Sequence, residues 1–363
     1  MMRPDADQVR RLALEQGFTL CGICAARPSA HGDFFRRWLA DGKHGEMAWL
    51  ADNVEVRLDP RELLAAARSI LVVADALPPT RCEPKPAGMP GRVARYARIS
   101  DYHKVMKKRL FAIADALRER HPDDAFRVCV DTAPLMEREH AQRAGLGWTG
   151  KHTLTLNRDR GSHLMLGAIV TTLDLPADPA RTDHCGTCTR CIDACPTDAI
   201  TPYRVDATRC ISYLTIEHRS TIDPAFHEAI GDWLFGCDIC QDVCPFVQRA
   251  AAPHTGPGPE AEADTLPPGY APTHAAFDVA EVIDWTEDER RAAFRCSAMK
   301  WGKLQMIRRN ALIVAANHLR QRDAPALRQR IEAIAADPDE PALVSQTARQ
   351  VLDGLSDRSR HRD

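Results

Sequence analysis

The chain has 363 residues, 44% of them hydrophobic and 27% charged, with a formal net charge of only −2. That length allows two or three domains with a sizeable core, and that balance excludes both a disordered chain and a bulk polycation. Thirteen cysteines behind a charged amphipathic start, with no apolar leader, point to a cytoplasmic protein whose thiols serve metal chemistry and not a disulfide framework.

In chain order, "MMRPDADQVRRLALEQG" predicts a helix with Asp5 or Asp7 as N-cap and Gly17 as stop. Four runs read as strands: "FTLCGICAA", "SILVVADAL" (69–77), "FRVCVDT" (126–132) and "HLMLGAIVTTL" (163–173). Between them, 101–121 is an amphipathic helix and 133–147 a second. Residues 1–176 are therefore expected to form an α/β domain, although no G-x-G-x-x-G follows the first strand and no Walker sequence occurs. Cys21 and Cys24 are read as inert core thiols. The apolar window "LMLGAIV" at 164–170 is too short to span a bilayer, so no membrane is expected.

"CGTCTRCIDACP" places Cys185, Cys188, Cys191 and Cys195 in a C-x2-C-x2-C-x3-C-P run, and "CDICQDVCP" repeats it as Cys237, Cys240 and Cys244 without the first cysteine. In two-cluster ferredoxins three cysteines of a run cap one cubane while the fourth, beside proline, turns to the other. One 4Fe–4S cluster is thus expected on Cys185, Cys188, Cys191 and Cys244. The other takes Cys195, Cys237, Cys240 and a displaced cysteine. Cys210 is the best candidate, because "CPTDAITPYRVDATRC" then reads as a repeat interrupted by about 26 residues after its first cysteine; Cys82, Cys129 and Cys296 are weaker. Structural zinc would explain neither the third cysteine of the first run nor the two C-P endings. Residues 177–252 are assigned to this ferredoxin-like insert.

Residues 253–274, rich in Pro and Gly, read as a linker, and 275–363 as an all-α domain of short HEAT-like helix pairs with a frayed tail. Two stretches are basic: 290–309 carries seven Lys or Arg and no acid, and 92–109 carries seven against Asp101 alone. Each is either a polyanion footprint or a solvated face paired with acids elsewhere. A domain of 176 residues ahead of the clusters exceeds what an electron carrier needs, so a second redox centre is expected there, flavin or corrinoid. "DYHKVM" nearly matches the corrinoid motif D-x-H-x-x-G but has Met106 at the glycine, which leaves His103 a weak candidate for an axial ligand.

"VRLDP" (56–60), "RYARISDYHKVMKKRL" (95–110), "VDTAPLMEREHAQRAGLGWTGKHTLTLN" (130–157), the paired cysteine runs and "KWGKLQMIRRNALIVAANH" occur in this order, and the chain resembles the epoxyqueuosine reductases over nearly its whole length. The resemblance implies a cobalamin-binding α/β (α+β) catalytic domain, a two-cluster insert and a helical tRNA-binding domain. It implies removal of the epoxide oxygen of epoxyqueuosine at the tRNA wobble position as water, with an external low-potential electron donor and a monomeric enzyme. Asp131 would be the proton donor, its carboxyl raised by burial and by the cofactor; the competing reading is a helix-capping Asp. Arg57, His152, Ser212 and Asp238 would lie along the cobalamin. Lys300, Lys303, Arg308 and Arg309 would grip the anticodon stem-loop, with Trp148 or Trp301 available to stack on a splayed base.

Two rivals remain at this point. A reductive dehalogenase-like corrinoid enzyme would share clusters and cofactor but have no use for a basic helical domain, and a twin-arginine leader is missing here. A non-catalytic electron carrier would hold clusters without cobalamin.

Overall fold

A computed structural model describes residues 5–78, 88–251 and 265–360, with side chains to 356. Cys82 and most of the expected linker lie outside the described residues. The four predicted strands, Leu20–Ala25, Ser69–Ala76, Phe126–Cys129 and Leu164–Thr171, form one sheet. Their order is first, second, fourth, third, and every pairing is antiparallel. Each of the two central strands is a run of eight residues with apolar side chains on both faces, because helices cover both sides. Leu71, Val73 and Ile169 pack under the helix Tyr102–Arg120 with Met106, Leu110 and Ile113. Ile70, Val72, Ala168 and Val170 face the opposite layer with Ala141 and Ala144. Cys21 and Cys24 fall on opposite faces of their strand, and burial pushes the Cys24 thiol up to about 12, so both stay protonated core groups.

Three differences from the sequence reading have clear causes. The helix expected over 133–147 is only Glu137–Arg143, because Asp131 adopts a left-handed φ of 54° and the chain runs irregularly through Pro134 before it can coil. Residues 275–363 are not wholly helical. Ala276–Asp278 is a strand beside Pro90–Val93, which also pairs in parallel with Trp233–Phe235, so three distant segments close a small sheet. One core then runs from Trp233 and Leu234 through Val279 and Phe294 to Ile307, Leu312, Ile331 and Val351, joining the C-terminal helices to the residues between the cysteine runs. The described end of the linker is held too: Tyr270 donates a hydrogen bond of 2.8 Å to Asp75, which is buried in a bidentate pair with Arg109 at 2.8 and 3.0 Å. Among the described residues no helix is long and apolar enough to cross a membrane.

Candidate active site

The cysteines assemble into two neighbouring groups. Cys191 lies in the field of Cys185, Cys188 and Cys244, whereas Cys237 and Cys240 lie in that of Cys210, which in turn senses Cys195. The short helices Arg190–Asp193 and Ile239–Asp242, which carry one thiol or more of each run, pack together. Trp148, Leu156, Val247 and Phe246 form an apolar jacket around Cys244 and Cys185. Gly236 introduces the second run with φ 74°, where a Cβ would lie 2.5 Å from that of Ala94, so only glycine fits. The residues between Cys210 and Cys237 explain the interruption of the repeat: they fold as the helix Ile211–Ile216 and the strand Trp233–Phe235, both of which enter the C-terminal core. Cys129 is a buried strand thiol and Cys296 is exposed, and neither belongs to these groups. Among the described residues no three His, Cys, Asp or Glu side chains converge on a single metal ion.

A cavity of about 900 Å³ opens between the second cysteine group and the edge of the α/β layer. Cys195, Cys210, Cys237 and Cys240 line it together with Asp131, His103, Glu137 and Arg138. Ser212, half-buried two residues past Cys210, and Asp238, fully buried between two cysteines, also line it. Asp238 accepts the Arg95 backbone N–H at 2.7 Å, and burial pushes its carboxyl up. His152 is buried on the wall. Its Nδ1 accepts the Leu154 N–H at 3.2 Å and burial pushes the ring down to about 4, so it is neutral with the proton on Nε2, which has no partner. Thr155 Oγ1 is likewise buried on this wall without a hydrogen bond, whereas His163 Nε2 faces Asp242 Oδ1 at 3.6 Å. Arg57 does not itself line the cavity; its guanidinium lies 5.5 Å from the ring centre of Trp49, which does, and its Nε is buried and unbonded.

Asp131 is not a helix cap, for the helix after it begins at Glu137 with Met136 as N-cap. The left-handed backbone turns its carboxylate into the cavity, and the Glu137 carboxyl fixes that turn by accepting the Asp131 N–H at 2.8 Å. Among the protein's own groups burial favours an upward shift of Asp131, but His103 Nε2 at 3.0 Å, with Arg138 and the Tyr102 hydroxyl, outweighs burial and holds the carboxyl below its usual range. Glu137 moves the other way, pushed up to about 8 by burial and then by the charge of Asp131. His103 cannot be a metal ligand in this arrangement, because Nδ1 faces Asp101 at 2.8 Å and Nε2 faces Asp131. The sequence reading missed Glu137 and the pairing of His103 with Asp131; the only available signal was the Asp-x-His at the start of the long helix.

The RNA grip is corrected in part. Arg308 is buried, paired with Glu340 at 2.7 and 2.9 Å, and Arg309 is fully buried on backbone carbonyls. Lys300 pairs with Asp101. Lys303 is exposed, and Trp301, 69% exposed, stands at the cavity mouth, while Trp148 is buried beside the first cysteine group. The basic run 92–109 is likewise paired in large part, through Arg92 to Asp232, Arg95 to Asp242 and Arg109 to Asp75.

Comparisons with known proteins agree with this architecture. Residues 184–247 match a family model described as a 4Fe-4S double cluster binding domain, and residues 57–132 match one described as epoxyqueuosine reductase QueG, DUF1730. The chain is 42% identical over 301 residues to the epoxyqueuosine reductase of Xanthomonas campestris pv. campestris, covering 79% of this chain and 83% of that one. A crystal structure of epoxyqueuosine reductase with an epoxyqueuosine-modified tRNA-Tyr stem loop superposes with a TM-score of 0.83 at 27% identity, covering 97% of this chain and 90% of that one. The Bacillus subtilis epoxyqueuosine reductase, captured with its catalytic aspartate loop swung out of the active site, gives a TM-score of 0.81 at 27% identity over 96% and 90%. With a relative this similar along most of both sequences, the chain belongs to the epoxyqueuosine reductase family.

Proposed function

We propose that this protein reduces epoxyqueuosine to queuosine at the wobble position of tRNA, the last step of queuosine synthesis, releasing the epoxide oxygen as water. The observation that carries the reading is the cavity itself, which is lined both by thiols of a double-cluster domain and by a carboxylate–imidazole pair. In this reading one 4Fe–4S cluster is held by Cys185, Cys188, Cys191 and Cys244, and the second by Cys195, Cys210, Cys237 and Cys240. Electrons from an external donor enter at the first, whose loop residues Gly186 and Thr187 are exposed, and reach the second at the cavity.

The cavity suits cobalamin, a bulky group rich in amide oxygens. His152 Nε2–H is a buried donor with no protein acceptor, and Thr155 adds a further unbonded polar atom on the same wall. His152, Ser212, Asp238 and Arg57 are the residues proposed to hold it. Bound there, cobalamin would supply a low-valent metal centre able to reduce the epoxide carbon. Asp131 delivers a proton to the oxygen, which is otherwise a poor leaving group. Lys303 and Trp301 at the mouth are the proposed RNA contacts, one for phosphate and one for a splayed base.

The test is nucleoside mass spectrometry of epoxyqueuosine-containing tRNA after anaerobic incubation with the reconstituted protein, cobalamin and a strong reductant. Cobalamin-dependent loss of one oxygen from the modified base is the expected result. No loss with clusters and cobalamin both bound would refute the proposal.

A further inference from the structure

We propose that His103 is the positioning residue that stores the proton Asp131 delivers, with Asp101 and Lys300 holding it to that task. The inference rests on the proposed function and adds to it a source for the proton. It starts from donor arithmetic. Both ring nitrogens of His103 face carboxylate oxygens, Nδ1 at 2.8 Å from Asp101 and Nε2 at 3.0 Å from Asp131. A neutral imidazole has one N–H, so one carboxylate would face a lone pair; the imidazolium donates to both. Asp101 is 2% exposed and cannot turn away, because the same carboxylate caps the helix through the His103 N–H at 3.2 Å. Its other oxygen binds Lys300. The ring itself is stacked on Tyr102 with centroids 4.0 Å apart.

Charge assigns the two carboxylates different roles. Lys300 neutralises Asp101, so the charge of the imidazolium is left to Asp131, the carboxylate open to the cavity. The other charged or titratable groups near Asp131 are Glu137, Arg57, Arg138, Glu217 and the Tyr96 and Tyr102 hydroxyls. Two are cations, Glu217 and Glu137 are both shifted toward the neutral acid by burial, and none contacts the ring more closely than the two aspartates. Together the neighbours leave His103 above its ordinary value, although burial alone would lower it.

The step balances. Loss of the epoxide oxygen breaks two C–O bonds, forms one C=C bond and consumes two electrons and two protons. The electrons come from the external donor through the clusters. The first proton passes from His103 Nε2 through Asp131 to the epoxide oxygen, leaving a neutral ring that still donates Nδ1–H to Asp101. Solvent supplies the second proton, completing water, and then recharges the ring.

The experiment measures single-turnover oxygen loss from a modified stem-loop RNA by reconstituted wild type, His103→Gln, His103→Gly and Lys300→Met, between about pH 6 and pH 9. The wild-type rate should fall on an alkaline limb above the ordinary histidine value of ~6.5. His103→Gln should lose about 100-fold in rate and lose that limb, with iron content and RNA affinity unchanged. Added imidazole should restore His103→Gly, and Lys300→Met should displace the limb. A His103→Gln rate within about threefold of wild type would overturn the inference. So would a loss uniform in pH and not rescued by imidazole, or an unmoved limb in Lys300→Met. If wild type itself removes no oxygen, it is the proposed function that fails; if wild type turns over, only the role of His103 is at stake.

Discussion

Arg309 offers the sharpest test of how the C-terminal helices work. Read as sequence it is a surface cation for RNA, but its side chain is fully buried near the start of the helix Leu304–Leu319. Nη1 donates to the carbonyls of His218 and Ser220 at 2.6 and 2.7 Å, Nη2 donates to that of Leu214 at 2.7 Å, and Asn310 Oδ1 accepts from Nε and Nη2. Burial pushes the guanidinium down to about 10, partly offset by Glu46, so it stays charged at neutral pH. Replacement by Met keeps the apolar stem but leaves three backbone carbonyls with no donor in the core. At roughly 1–2 kcal/mol for each charged hydrogen bond lost, the loss is about 3–6 kcal/mol. That is a large part of the 5–15 kcal/mol typical of a folded domain. The assay is urea unfolding of the reconstituted protein by tryptophan fluorescence, beside RNA binding across salt concentrations. The expected result is a lower midpoint with an unchanged salt slope of RNA affinity for the folded fraction. Stability within about 0.5 kcal/mol of wild type, together with a salt slope reduced by about one, would show that Arg309 touches phosphate and that the buried placement is wrong.

Three further outcomes follow from the site. Cys210→Ala should reduce iron from about eight atoms per chain to about four, measured by iron assay after reconstitution; retention of eight would return the eighth ligand to another cysteine. Asp131→Asn should keep clusters and RNA binding but lose about 10²- to 10⁴-fold in turnover, and full activity would remove Asp131 from the chemistry. Glu137→Gln should keep turnover within about threefold and Glu137→Ala should not, because the amide oxygen still accepts the Asp131 N–H and resembles the protonated acid. The sign of the pH effect is fixed by a folded value of about 8 against an ordinary carboxyl in the unfolded chain. Between those values the folded state binds more protons, so wild-type stability falls as pH rises, and Glu137→Gln should flatten that slope; equal slopes in denaturation series would contradict it.

Some of this was legible in the sequence because local pattern decides it. The four strands are apolar runs with turn residues at their ends, and the cysteine spacing dictates which thiols share a loop. Strand order was not legible, since the same four runs would serve a parallel or an antiparallel sheet equally well. Nor was the small sheet, whose strands Pro90–Val93, Trp233–Phe235 and Ala276–Asp278 are three or four residues long and meet only because the C-terminal core brings them together. The arginines show a different limit. Sequence records charge but not direction, and Arg308 and Arg309 sit in a helix whose residues from Met306 to Asn317 are all buried. Their place inside that apolar run, beside Asn310, was the available sign that the charges point inward to carbonyls.

The environment of Asp131 contradicts the simple picture of an isolated, neutral acid. A carboxyl raised by burial alone would hold its own proton, but it would also lose its only fixed partner each time it gave that proton up. The structure instead keeps Asp131 ionised against His103 and places the raised carboxyl on Glu137, one hydrogen bond away on the backbone of the same turn. In the proposed reaction this separates two demands. The group that touches substrate is small and turned into the cavity by a left-handed φ of 54°. The group that stores the proton is anchored on the long helix between two carboxylates. Cys210, Cys237 and Cys240 line the same cavity. In the proposed reaction the electrons and the proton therefore reach the substrate within one cavity, from different groups of side chains.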